Sequence, residues 1–177
     1  RLAGFLPSVS LLWRDRLGRV ALATTTLFWG AGATLQFIVI DWAARALSLN
    51  LSQASMLQGV VAVGIALGAV IAAKFVTLRS AVSVLPVGAA MGVVVMVMIF
   101  VHYIPLAMLL MIAIGACAGF FVVPMNALLQ HRGHVLMGAG HSIAVQNFNE
   151  NIGILLMVGL YALMVRSGMS VTVAVIL

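Results

Sequence analysis

The residues of this chain best equipped for chemistry crowd into "AVQNFNENIG", residues 144–153, where Gln146, Asn147, Asn149, Glu150 and Asn151 stand nearly side by side. At about 100° per residue of helix, Gln146, Asn147, Glu150 and Asn151 share one broad face, with Asn149 on its flank near Ser142. A carboxylate among amides can attract a cation and bond phosphate or hydroxyl oxygens. The same set can instead clamp its helix to neighbours through a buried hydrogen-bond network. A second polar set, Gln36, Asp41 and Arg45, occurs in "GATLQFIVIDWAARALSL". Asp41 and Arg45 are spaced i, i+4 and read as a structural ion pair, with Trp42 beside them as an interfacial anchor. Gln36, about a turn and a half deeper, could meet a ligand or a neighbouring helix. The only acidic residues are Asp15, Asp41 and Glu150, and neither a G-x-S-x-G turn nor a phosphate-binding loop occurs. His131, His134 and His141 have no carboxylate or thiol close in sequence, so they read as solvated loop residues rather than metal ligands. No enzymatic activity, metal or cofactor is expected.

Composition says what must position these groups. The chain of 177 residues is 64% hydrophobic and 7% charged, with a mean hydropathy of +1.25. Soluble domains carry about 25% charged residues, so this chain belongs in a bilayer. The net charge of +6 is thinly spread, with neither a basic patch nor an aromatic platform for stacking bases, which excludes nucleic-acid binding. The single cysteine, Cys117, lies in an apolar run and supports neither a disulfide framework nor a thiolate metal site. Apolar spans run from Val20 to Leu47, Ser55 to Phe75, Ala81 to Val101, Ile104 to Leu129 and Ser142 to Val165. Each reaches the roughly 20 residues a helix needs to cross the hydrocarbon, and period-2 alternation is absent. Their connections are short, the longest being "QHRGHVLMGAGH" at residues 130–141.

Arg1, Arg14, Arg16, Arg19, Lys74, Arg79 and Arg132 fall on one side of this topology, Arg45 and Arg166 on the other. The rule that basic loops stay inside places the N-terminal end and the loop around Arg132 in the cytoplasm. The chain starts at Arg1 and stops within the apolar run "MSVTVAVIL", as expected of a fragment with a truncated sixth helix. The expected fold is all-α: a six-helix half-bundle of a twelve-helix transporter built from two such repeats. Residues 1–19 read as the end of a central cytoplasmic loop, either a short interfacial helix or a plain connection, and residues 20–177 as the transmembrane bundle. Three GxxxG pairs, Gly64 with Gly68, Gly88 with Gly92 and Gly115 with Gly119, read as helix-packing faces. Pro124 is expected to kink or end the fourth span.

Four stretches carry a family resemblance: "TLFWGAGATLQF" (26–37), "AAKFVTL" (72–78), "GFFVVPMNALLQHRG" (119–133) and "GAGHSIAVQNFNENIGILLM" (138–157). Over nearly its whole length the chain resembles the C-terminal half of the bacterial lysophospholipid transporters of the major facilitator superfamily. The resemblance implies helices seven to eleven over residues 20–165, the start of the twelfth from Ser170, and six further helices outside the chain. It implies a flippase-like activity in the bacterial inner membrane. Lysophospholipids, lysophosphatidylethanolamine above all, would move to the inner leaflet by alternating access for re-acylation by an acyltransferase partner. Glu150, Gln146, Asn147, Asn151 and Gln36 would then line the substrate cavity. Glu150 would meet the ethanolamine ammonium, the amides phosphate or glycerol oxygens, and the glycine faces would slide. One departure is Gln36, which stands where the family pattern carries arginine. The resemblance then implies that a phosphate-pairing cation is missing there, with Arg45 two turns outward as a partial substitute. The competing readings are a superfamily antiporter for small amphiphilic cations or drugs and a purely scaffolding membrane domain. A membrane-bound acyltransferase would need a His-x4-Asp pattern, which these residues lack.

Overall fold

A helix is the only open-ended element that satisfies its own backbone in lipid, so an apolar chain of this kind folds as a series of helices. In the computed structural model, which describes residues 5–170 and Val173, the elements are α1 (Phe5–Arg14), α2 (Arg16–Ala46), α3 (Leu51–Phe75), a 3-10 segment (Leu78–Val84) continuing into α4 (Leu85–Met98), α5 (Ile104–Met137) and α6 (Ala139–Arg166). Five of these stretches are long and apolar enough to cross a membrane, the 3-10 segment and α4 counting as one. The start of a twelfth helix expected beyond Ser170 lies, but for Val173, outside the described residues.

Local chemistry sets the boundaries. Asp15 caps α2 by accepting from Gly18 N at 2.7 Å. Asn50 and Gln53 form a reciprocal capping box at the start of α3, with bonds of 2.9 and 3.1 Å. Proline occupies the first turns of α4 and α5, where its missing N–H costs nothing.

α5 corrects two expectations. Pro124 does not end it: the helix runs on to Met137, packed against α2, α3, α4 and α6. In such surroundings a proline is tolerated because neighbouring groups re-satisfy the freed backbone. The connection expected at residues 130–141 is therefore mostly helix. Gly138 alone separates α5 from α6, at φ 81° and ψ 161°, a conformation that essentially only glycine adopts. His131, His134 and His141 consequently stand on exposed helical turns.

Two apolar cores lie at opposite ends of the bundle. One joins Leu12, Leu22, Val84, Phe121, Met125, Leu129 and Val145; the other joins Trp42, Leu57, Met98, Met111 and Ile114. Between them α3 and α5 run in close contact along Gly64, Gly68, Gly115 and Gly119, all four facing backbone of the opposite helix. The third pair behaves differently from expectation. Gly88 lies against the Phe121 ring, 3.1 Å from where a Cβ would sit, and Gly92 faces open space. A second close crossing, between α2 and α6, is built on Gly30 and Gly153, which GxxxG spacing does not reveal.

Candidate functional site

On α6 the polar run resolves into groups with different surroundings. Gln146 is buried, and its Nε2 donates both to Asn126 Oδ1 of α5 at 3.2 Å and to Glu150 Oε1 at 2.9 Å. Both N–H bonds of that amide are thereby used, which fixes the direction in which the Glu150 carboxylate points. Glu150 is half-buried, and among the described residues its second oxygen has no bonding partner. Asn149 donates to Val145 O at 2.8 Å and accepts from Trp13 Nε1 of α1 at 3.4 Å. Asn147 and Asn151 are exposed, and the Asn151 amide turns back onto the Asn147 carbonyl at 2.7 Å. The face thus has a fixed part, Asn126–Gln146–Glu150, and an open part, Asn147 and Asn151.

Gln36 does not join them. α2 and α6 run parallel, Thr26 meeting Gly153, Gly30 meeting Met157 and Phe37 meeting Tyr161. By that register Gln36 lies level with residue 160, so at 1.5 Å per residue it is about 15 Å from Glu150 along the bundle, toward the C-terminal end of α6. Its side chain is exposed, while its carbonyl accepts from Gln58 Nε2 at 3.1 Å. Farther along α2, Arg45 Nε donates to Asp41 Oδ1 at 2.9 Å. An exposed i, i+4 pair of this kind contributes about 0.3–0.5 kcal/mol.

Sequence reading missed Asn126, Trp13 and Asp15. Asn126 had a signal, an amide within an otherwise apolar span; the other two depend on partners more than a hundred residues away. Asp15 is joined to Arg132 at the end of α5 by a two-pronged ion pair, Arg132 Nε lying 3.0 Å from Oδ2 and Nη2 bonding Oδ1. This tie and the fully buried Leu12 dock α1 onto the ends of α2, α5 and α6. The Arg132 guanidinium holds the Asp15 carboxyl below the usual carboxylate range. A group depressed in the folded state stabilises above its unfolded pKa of about 3.9 and loses that contribution as pH falls through the lower folded value. Asp15→Asn keeps the helix cap but removes the charge, so at pH 7 the midpoint of thermal unfolding should fall by about 2–4 °C, for a loss of about 1 kcal/mol. The variant should also lack the corresponding loss of stability below about pH 4. Superimposable melting curves across pH 3–7 would show that the tie contributes nothing.

Fold and site together define a multi-pass, helical membrane protein with an oriented, half-buried carboxylate on one of its spans. Its relatives make the class particular: it is homologous to curated proteins named lysophospholipid transporter LplT. It is 47% identical to that of Yersinia enterocolitica over 168 residues, 94% of this chain and 42% of the relative. Against that of Pectobacterium carotovorum it is 47% identical over 170 residues, 96% and 42% of the two chains, and against that of Yersinia pestis 47% over 165 residues, 93% and 41%. The chain spans about two fifths of the length of these relatives. No family model and no solved structure matches it.

Proposed function

We propose that this chain is the C-terminal helical half of a lysophospholipid transporter of the major facilitator superfamily. What carries the reading is the 47% identity, over 94% of the chain, to a protein named for that activity. In this proposal residues 1–19 end the central loop, the N-terminal side faces the cytoplasm, and six helices outside the chain supply the opposite wall of the cavity. Lysophosphatidylethanolamine moves to the inner leaflet of the bacterial inner membrane by alternating access, where an acyltransferase consumes it.

The site chemistry supports the proposal. A lysolipid needs an apolar wall for its chain and opposed polar groups for its headgroup, and α6 offers both within three turns. Glu150, oriented by Gln146, presents its free oxygen to an ammonium, and Asn147 and Asn151 offer amides to phosphate or glycerol oxygens. An uncompensated carboxylate facing lipid costs about 2.5–3.5 kcal/mol even on the lenient insertion scale, so a facing polar partner or substrate accounts for its presence. Inward movement of fluorescent lysophosphatidylethanolamine into proteoliposomes containing the full-length protein tests the reading. Uptake at least about tenfold above protein-free vesicles is expected. Background uptake, with export of small amphiphilic cations instead, would replace it with the antiporter.

A further inference from the structure

At the far end of the bundle, from the level of Gln36 and Tyr161 onward, α2 and α6 flank a cleft of about 280 Å³. Asp41 and Arg45 form one side, Tyr161 and Val165 the other, and the turn through Gly168 and Ser170 closes the end. We propose that this cleft is a second, outward-lying site that receives a zwitterionic phosphoester headgroup before it reaches Glu150; the proposal rests on the transport reading above.

The Asp41–Arg45 pair is incompletely used. Only Arg45 Nε and Asp41 Oδ1 are engaged, so among the described residues the two terminal guanidinium nitrogens and the second carboxylate oxygen have no partner. The Arg45 side chain is 68% exposed and the Asp41 side chain 32%, so solvent or a ligand reaches both. A zwitterion presents the complementary set, an ammonium for Asp41 and a phosphate for the planar guanidinium fork. Binding leaves the site as neutral as before, which avoids placing a net charge at the edge of the bilayer. At about 280 Å³ the cleft lies at the small end of the range for ligand pockets, room for a headgroup rather than a whole lipid. One turn inward, Phe37 is stacked on Tyr161 with ring centroids 6.4 Å apart and is 51% exposed, giving an aromatic surface on which the first carbons of an acyl chain can lie. Gln36, next to Phe37 in sequence, is exposed at the level where the cleft begins. A purely structural ion pair accounts for the Nε–Oδ1 bond, but not for an open cleft beside it walled by a tyrosine.

The test uses full-length protein in nanodiscs of phosphatidylglycerol, titrated with water-soluble glycerophosphoethanolamine and followed by saturation-transfer NMR. Saturable binding is expected, weakened about tenfold by Arg45→Gln and by Asp41→Asn, and weaker by a similar factor for inorganic phosphate or ethanolamine alone. Equal binding by wild type and both variants overturns the site, and phosphate binding as tightly as the zwitterion reduces it to an anion site. Lysolipid uptake measured on the same samples separates the two proposals. Headgroup binding lost in the variants, with no uptake by wild type, leaves this site standing and removes the transport reading. Uptake without headgroup binding does the reverse.

Discussion

Gly119→Leu is expected to abolish folding of the bundle or to cost about 3 kcal/mol or more, whereas Gly92→Leu should stay within about 0.5 kcal/mol of wild type. The two glycines have the same GxxxG spacing and opposite surroundings. A Cβ on Gly119 would overlap the carbonyl oxygen of Ile65 and stand 2.9 Å from Ala69 N. The same holds along the seam, where a Cβ on Gly68 would stand 2.7 Å from the Ala116 carbonyl carbon. These obstacles are backbone, so no rotamer change relieves them and the helices must move apart. Separation would forfeit the dispersion contacts that hold helices together in lipid, where the hydrophobic effect adds little. Around Gly92 nothing lies within 4 Å of an added Cβ. Thermal unfolding of both variants in detergent, with folded yield from membranes, measures the difference. Equal stability of Gly119→Leu and Gly92→Leu would show that the α3–α5 seam does not hold the bundle.

This contrast marks how far the sequence is readable. Hydropathy identifies five spans because lipid imposes one length on every crossing, and it places Phe75, Ile104 and the ends near Leu47 and Val165 within a residue or so of the observed boundaries. GxxxG spacing tells that two glycines share a face, but not what the face meets, which is why Gly92 misleads and why Gly30 and Gly153, one on each of two helices, escape notice. The end of α5 is illegible for a different reason. "QHRGHVLM" is polar enough to read as a loop, yet Gly133 packs against Ser142 and permits the two helices to stay together to Gly138. At the site, the i, i+4 relation of Gln146 to Glu150 is written in the spacing, and so is that of Asp41 to Arg45. Long-range partners are not: Asn126 for Gln146, Trp13 for Asn149 and Arg132 for Asp15 come together only when the helices pack. The depth of Gln36 is a matter of register between two parallel helices, which no single-helix pattern encodes.

Glu150→Gln in the full-length protein should cut lysophosphatidylethanolamine uptake by about ten- to a hundredfold, the range expected when a hydrogen bond to a charged group is replaced by one to a neutral amide. Folding should survive. Glutamine is isosteric, its Oε1 can still accept from Gln146, and Gln146 keeps its bond to Asn126, so no buried donor is orphaned. Removing a carboxylate from membrane depth also lowers the cost of insertion, so unchanged or slightly raised thermal stability is expected alongside the lost flux. That combination separates a transport role from a clamp, because a clamp would lose stability first and flux only with it. Gln146→Leu provides the comparison. It removes the bond to Asn126 and leaves the carboxyl group without its aligning amide, so it should lower stability and flux together. Uptake by Glu150→Gln equal to wild type at matched expression would leave the carboxylate as part of the α5–α6 contact alone, and the search for the headgroup site would move outward to Asp41 and Arg45.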